Sequence, residues 1–339
     1  MNRSLLPLAA AAFVLVACDG NPFGPKPTTP TDPTDPGGGG ITSPRTLPPG
    51  TTSPTRDTRI TRFEPRENTT GNGFVTDVSY DAATDTFTVD NLGFDGDNTY
   101  TRGRRVGSLG PYAVYENADV FNDPLTGAGI GQFTHRAIYG VSRSGQTEFA
   151  IVRTGAYTGY GFGGFVYQRN GSVELPTTGQ ASYRGAYSAL RDFEGRGGME
   201  LATGTMRVAI DFNDFNAGAA VQGRVTNRAI FDINGRDITS DVIAALAAKT
   251  GLPQTALPTL VFNVGPGVLD ANGELVGNLG SGTENAGGAI TPFEEGKYYA
   301  VVSGNNAREI VGVLVVEASD PRYTGVTVRE TGGFILTRR

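Results

Sequence analysis

His135, within Phe133-Thr134-His135-Arg136, is the chain's one histidine. A Ser-His-Asp hydrolase would have to use it, and no Gly-x-Ser-x-Gly elbow precedes a helical segment to supply the nucleophile. Zinc needs several nitrogen or sulfur ligands, and the one cysteine, Cys18, lies near the N-terminus. His135 therefore reads as a strand histidine, satisfied or exposed. Gly159-Tyr160-Gly161-Phe162-Gly163-Gly164 matches Gly-x-Gly-x-x-Gly in form, but a dinucleotide site needs a helix after it. Here Phe165-Val166-Tyr167 continues as strand, so the glycines read as relief for strand curvature or aromatic packing. Asp95-Gly96-Asp97-Asn98 offers oxygen ligands for calcium but lacks the bidentate Glu of an EF-hand loop, and a hairpin tip is the simpler reading. Asp211, Asp214, Asp232 and Asp237 could include a glycosidase pair, for which the separation of the carboxylates decides; otherwise they are sheet-surface charges. The expectation is no catalytic residue, no cofactor and no metal.

Cys18 carries the strongest chemical signal. Arg3 is followed by an apolar run, Leu5 to Val16, about half of the ~20 residues that a membrane-spanning helix needs. The run reads as a signal-peptide core. It ends Leu15-Val16-Ala17-Cys18, which resembles the lipobox of bacterial lipoproteins, so that residues 1–17 would be removed and Cys18 acylated. Two or three acyl chains give stable anchoring, at roughly 0.8 kcal/mol per buried CH₂. Asp19 resembles an inner-membrane retention signal of enteric bacteria, which leaves the choice of membrane open. A tether is expected over residues 18–61, where ten prolines fall between Pro22 and Pro54 beside the Gly37–Gly40 run, with only isolated apolar residues.

The remaining chain must position everything else. It holds 49 glycines, and aromatic residues without a single Trp, a composition suited to β-structure. With 34 Asp and Glu against 28 Lys and Arg, it lacks the basic footprint of a nucleic-acid partner. One cysteine excludes an intramolecular disulfide, so core packing and sheet closure must hold the fold. Met206, Val208, Ile210 and Phe212 alternate with Arg207, Ala209 and Asp211, which puts one face in the core. Arg143-Ser144-Gly145 predicts a hairpin between Gln132–Ser142 and Gln146–Thr154; Asn170-Gly171 and Asn272-Gly273 predict two more. Lys297–Ser303, Glu309–Glu317 and Thr327–Thr337 predict closing strands. One helix is expected over Asp241–Lys249, capped by Thr239 or Ser240 and ended by Gly251. The reading is all-β: an antiparallel barrel of about eight strands with one short inserted helix, over 155–339. A smaller β-rich segment, 62–154, precedes it.

Four segments carry a family resemblance. Leu175-Pro176-Thr177-Thr178-Gly179-Gln180-Ala181-Ser182-Tyr183-Arg184-Gly185 looks like an opening barrel strand. Val208-Ala209-Ile210-Asp211-Phe212, with Val221-Gln222-Gly223 after it, looks like the next pair. Ser303-Gly304-Asn305-Asn306-Ala307-Arg308-Glu309-Ile310-Val311-Gly312 and Gly332-Gly333-Phe334-Ile335 follow in order. The set resembles the β-barrel domain of transferrin-binding protein B and its relatives among bacterial surface lipoproteins. Val302-Ser303 departs from the family, which usually has an aromatic residue there, and the β-rich segment 62–154 stands where the family has its handle domain and is read as handle-like. In physical terms Tyr183 and Tyr187, with Ala181 and Gly185, alternate large and small as a barrel interior requires, and Glu309 is placed to pair with a nearby turn.

The resemblance implies a lipid-anchored envelope protein of the outer membrane, surface-exposed, whose barrel binds a macromolecular or nutrient-carrier ligand without catalysis. It also implies an outer-membrane receptor or translocator as partner. The alternative is a structural or adhesive envelope lipoprotein with no small ligand. Contact loops are expected around Gly93–Gly110, Phe121–Gly131 and Gly265–Gly288, with Asn278–Gly287 the stretch whose replacement should weaken binding.

Overall fold

The computed structural model describes residues 46–90, 92–214, 220–263 and 265–339; the expected signal peptide, Cys18 and most of the tether lie outside them. Two β-units pack side by side. The first is a curled antiparallel sheet of β1 (Ile60–Phe63), β2 (Val78–Asp81), β3 (Thr86–Val89), β4 (Thr99–Arg102), β5 (Ser108–Leu109), β6 (Tyr112–Asn117), β9 (His135–Val141), β10 (Thr147–Thr154) and β11 (Gly163–Arg169). Its order is β1-β11-β10-β9-β6-β4-β3-β2, with β5 beside β6. Between β6 and β9 a separate ribbon, β7 (Val120–Asn122) and β8 (Gly129–Gly131), projects from the sheet's end.

The second unit is a closed eight-stranded barrel. Its strands run in sequence order: β12 (Gln180–Glu194), β13 (Met199–Asp211), β14 (Val221–Asp232), β15 (Leu260–Phe262), β16 (Glu274–Glu284), β17 (Ile290–Ser303), β18 (Glu309–Ser319) and β19 (Thr327–Arg338). Met206, Val208, Ile210 and Phe212 face inward, as their alternation predicts, and join Tyr183, Tyr187, Leu314 and Phe334 in one core. The barrel is filled, not hollow. Tyr298 stacks on Phe262 with ring centroids 3.6 Å apart, over Gly223 and Gly277, where a Cβ would collide with those rings.

The helix α1 spans Thr239–Thr250, between β14 and β15, and buries Val242 and Leu246. Gly251 ends it in the left-handed region at φ 71°, its N–H bonded to Ala247 O. The expected cap is not used: Ile238 stands at the N-cap with no side-chain bond. Thr239 Oγ1 instead accepts from Ile230 N at 2.8 Å, and Asp237 Oδ1 accepts from Thr239 N at 2.8 Å.

Four expectations are corrected. Ordered structure begins before residue 61: Pro48 and Thr51 lend carbonyls to Arg62, and Ile60 is fully buried. The boundary at 154 falls inside the first sheet, because β11 pairs with both β10 and β1; the barrel starts at Gln180. Asn170-Gly171 does not join a hairpin but carries the chain from one unit to the other. Finally, Gly265–Gly288 is not one loop. Residues 274–284 form β16, whose Leu279, Ser281 and Thr283 are buried. Its glycines admit close neighbours: a Cβ on Gly277 would strike Tyr298, and one on Gly280 would strike the Glu294 carbonyl.

The two units share a buried seam. Leu109, Tyr112, Phe149, Ile151 and Phe165 of the sheet pack on Leu190, Leu201, Val301, Val311 and Val313 of the barrel. Arg153, fully buried, donates to Glu64 at 2.6 Å and to Thr331 Oγ1 at 3.1 Å. Arg329 pairs with Asp192 and donates to Thr70 O at 2.8 Å. Glu309 Oε2 accepts from Ser144 Oγ at 3.0 Å and Thr147 Oγ1 at 3.1 Å, the turn partnership foreseen for it.

Candidate functional site

The acidic and histidine candidates do not converge. Asp211 ends β13, where Oδ2 accepts from Gln180 at 2.6 Å and Oδ1 from Asn213 N at 3.0 Å. Asp232 accepts from Asn234 N and Arg236 N in a turn. The register pairs Glu200 with Asp232 and Ile210 with Val221. Asp211 and Asp214 therefore lie at one end of the β13–β14 hairpin and Asp232 and Asp237 at the other. At about 3.3 Å per residue these ends are roughly 30 Å apart, far beyond the ~5–9.5 Å of a glycosidase pair.

His135 opens β9 and is 1% exposed. Its Nδ1 lies 3.0 Å from Phe133 O, and its backbone N donates to Asn117 Oδ1 at 2.6 Å. Burial depresses its pKa to about 4, so the ring is neutral at physiological pH. Nδ1 then carries the proton and donates to the Phe133 carbonyl. Neither partner is a carboxylate or serine, so no triad forms.

Asp95 is buried and accepts from Tyr100 Oη at 3.0 Å; burial outweighs that bond and raises its pKa. Asp97 caps Thr99 N, and Gly96 and Asn98 take φ of 79° and 63°. This is the turn before β4. Among the described residues no group of three or more His, Cys, Asp or Glu side chains is placed to hold a metal ion. Gly161 and Gly163 sit against the carbonyls of Thr154 and Val152, where a Cβ would overlap, and no helix follows them.

What the neighbouring turns expose is apolar. Phe94 is 64% exposed, Val120 55%, Leu125 95% and Ile130 45%. Phe94, Leu125 and Ile130 fall in two of the expected contact segments, 93–110 and 121–131, and Val120 stands one residue before the second. Two hydrogen bonds join these segments: Phe133 N donates to Phe94 O at 2.9 Å, and the Gln132 side-chain Oε1 accepts from Gly96 N at 3.0 Å. Phe94 packs on Phe133, which meets Tyr157, which meets Phe162, at centroid distances of 5.3, 5.0 and 5.4 Å. The ribbon's tip is stiffened by Asp123, whose Oδ1 accepts from Leu125 N and Thr126 N. The result is a set of exposed apolar side chains on two hydrogen-bonded segments, Phe94 on an aromatic base and Val120 and Ile130 on the two faces of the ribbon. Sequence reasoning named the segments but not these side chains. The signal was there: a large apolar residue inside Gly-Phe-Asp-Gly and inside Asp-Pro-Leu-Thr-Gly cannot turn into a core.

A cleft of about 210 Å³ lies where β2 curls toward β1, walled by Tyr80, Phe87 and Tyr139 over Glu148 and Gln168. Burial raises the Glu148 pKa, but bonds from Asn170, Tyr139 and Gln168 prevail and hold it below the usual range. Its oxygens are thus spent within the sheet, and no acid–base pair results.

No family model matches the chain, and no curated protein matches it. Solved structures do. The fold resembles transferrin binding protein B. A double mutant of that protein from Haemophilus parasuis Hp5 is 10% identical, with a TM-score of 0.37, over 78% of this chain and 45% of that one. Intact Ap-TbpB, with N and C lobes, is 13% identical at a TM-score of 0.35 over 78% and 46%. The isotype 1 protein from serogroup B Neisseria meningitidis is 14% identical at 0.30 over 75% and 49%. The chain spans under half the length of these three. The likeness is one of fold, and the transferrin in their names belongs to them alone. Among the described residues no helix is long and apolar enough to cross a membrane.

Proposed function

We propose that this chain is a lipid-anchored envelope protein that binds a macromolecular ligand, such as a protein or nutrient carrier, without catalysis. Its contact surface is the patch of Phe94, Val120, Leu125 and Ile130. The carrying observation is that four of the chain's exposed large apolar side chains, Leu125 the most exposed of all, fall on two hydrogen-bonded neighbouring segments, while Val141, Val261 and Ile290 are exposed singly elsewhere. A local concentration of exposed apolar side chains is a candidate interaction site. The filled barrel and the scattered carboxylates supply rigidity rather than chemistry.

In this reading acylated Cys18 holds the protein to the outer membrane, with the folded units on the cell-surface side. Tethering raises the effective concentration of captured ligand near the bilayer. An outer-membrane receptor or translocator would be the natural companion; inner-membrane retention through Asp19 is the competing location. The third expected loop is dropped from the contact surface because β16 fills it.

A photo-crosslinking residue at Leu125, with one at exposed Lys249 on α1 as control, tests the surface. A discrete macromolecular adduct from position 125 and none from 249 is expected. Equal labelling from both positions, or none from 125, contradicts the proposal.

A further inference from the structure

The barrel's outer wall carries an arrangement that the apolar patch does not explain. Arg184 on β12 stands directly opposite Arg207 on β13, and Arg207 directly opposite Arg224 on β14. All three point outward, because their neighbours Tyr183, Met206, Val208 and Val225 point into the core. Arg207 and Arg224 are exposed and Arg184 is half-buried. None of their side chains forms an ion pair or hydrogen bond with another described residue, although the chain's net charge is −6. Like charges directly opposite on neighbouring strands are destabilising. Three in a row, unrelieved, make a stripe that a polyanion would neutralise.

The stripe is one-dimensional. On the same face one flanking row is Ser182, Ala209 and Gln222, and the other is Ala186, Thr205 and Thr226. Both rows are short or uncharged, so the arginines stand in a single line across the strands. Strand spacing of about 4.8 Å sets the step, and the line spans roughly 10 Å. On the Ala186 side the first sheet forms a wall, where Tyr112 Oη donates to Ala186 O at 3.0 Å. Beyond Arg184 the neighbouring strand presents Thr337, and next to it lies a shallow cavity of about 420 Å³. That cavity is lined by Asn305, Asn306, Arg308, Arg338 and Arg339, with no carboxylate side chain.

We infer that this stripe is a binding site for a linear acidic polysaccharide, laid across β12, β13 and β14 with its carboxylate or sulfate groups on the guanidinium groups. Planar guanidinium suits both anions, because it donates in a fixed fork. A chain-like ligand fits a single row with neutral flanks; a membrane presents a two-dimensional field of charge and would be matched by a broad patch. An extended acidic peptide fits less well. It repeats like-facing side chains every second residue, about 6.7 Å apart, against a step of about 4.8 Å. The inference stands independently of the apolar patch, which lies on the other unit.

The test uses the full chain carrying Cys18→Ser, so that no acyl chain contributes. The probes are a fluorescent heparin hexasaccharide, an oligogalacturonate, a neutral dextran fragment, an oligoglutamate and phosphatidylglycerol vesicles. Binding of the two acidic glycans and not of dextran is expected. The triple variant R184Q/R207Q/R224Q should weaken glycan binding at least tenfold. It should also lower the slope of log affinity against log salt by about two to three, as loss of three counterion-releasing contacts requires. Its circular dichroism and thermal midpoint should not fall, because repulsion has been removed. If the triple variant fails to fold, Arg207→Gln alone should weaken binding about threefold. Unchanged glycan affinity in the variants, no glycan binding at all, or equal or tighter binding of vesicles or oligoglutamate would overturn the inference.

Discussion

Arg62 and Glu274 form a bidentate pair across the two units, Nε to Oε1 at 2.7 Å and Nη2 to Oε2 at 2.9 Å, with both side chains buried. Arg62 lies on β1 and Glu274 begins β16, so the pair ties the start of the sheet to the barrel. The same guanidinium donates to Pro48 O and Thr51 O. Glu274→Ala leaves a buried cation without its carboxylate and should cost about 3–5 kcal/mol. Urea unfolding measures this. A double Arg62→Met, Glu274→Leu change should recover much of the loss, which a simple packing role for Glu274 would not allow.

His135 sets a pH dependence. Its folded pKa, about 4, lies below the ordinary value of 6.5 because the ring is buried. Between those values the unfolded chain binds more protons than the folded one, so stability rises with pH. The contribution is complete above pH 6.5 and is lost as pH falls toward 4. Its size is roughly 3 kcal/mol, from about 1.4 kcal/mol per pH unit. Urea midpoints of wild type and His135→Phe should converge or cross as pH drops from 7 to 4.5. Parallel curves would contradict the assignment.

Gly333 lies at the seam, where a Cβ would run into the Phe149 ring. Phe149 is itself buried against Tyr112, with ring centroids 4.8 Å apart. Gly333→Ala should therefore destabilise by about 1–3 kcal/mol, as overpacking does. The double change Gly333→Ala, Phe149→Leu should regain part of it. A neutral single variant would show that the seam yields more easily than its packing indicates.

The exposed patch behaves differently. Leu125→Asp and Phe94→Ser should leave stability within about 0.5 kcal/mol, as expected for surface positions; Phe94→Ser should also abolish the crosslink from position 125, and Leu125→Asp the crosslink from a probe placed at Ile130. Loss of fold in either variant would mean that the patch is structural.

Much of the fold was legible because it rests on local patterns. The alternation of Met206, Val208, Ile210 and Phe212 gave the barrel's inward face. Gly251 ended the helix in the left-handed region it alone tolerates well, and Gly145, at φ 70°, closed the β9–β10 hairpin. What failed depends on distant partners. Gly277, Gly280 and Gly282 read as a loop because glycine has low strand propensity, yet each makes room for a group on β17. Residues 46–61 read as tether because their apolar residues are isolated; Arg62 and Arg169 hold them by carbonyls, and Ile60 alone among them enters the core at the seam. Arg184, Arg207 and Arg224 are far apart in sequence, and only the register makes them one row. Similarly, no local signal placed Arg228 inside the barrel, where it bonds Glu294 at 2.7 Å and Glu330 at 3.0 Å.

The central claim is a lipid-anchored binding protein displayed at the cell surface, and proteinase K treatment of intact cells tests it most directly. A periplasmic marker and permeabilised cells serve as controls. The account predicts cleavage within the β7–β8 ribbon on intact cells while the marker survives. Protection of the ribbon until the cells are permeabilised would contradict it.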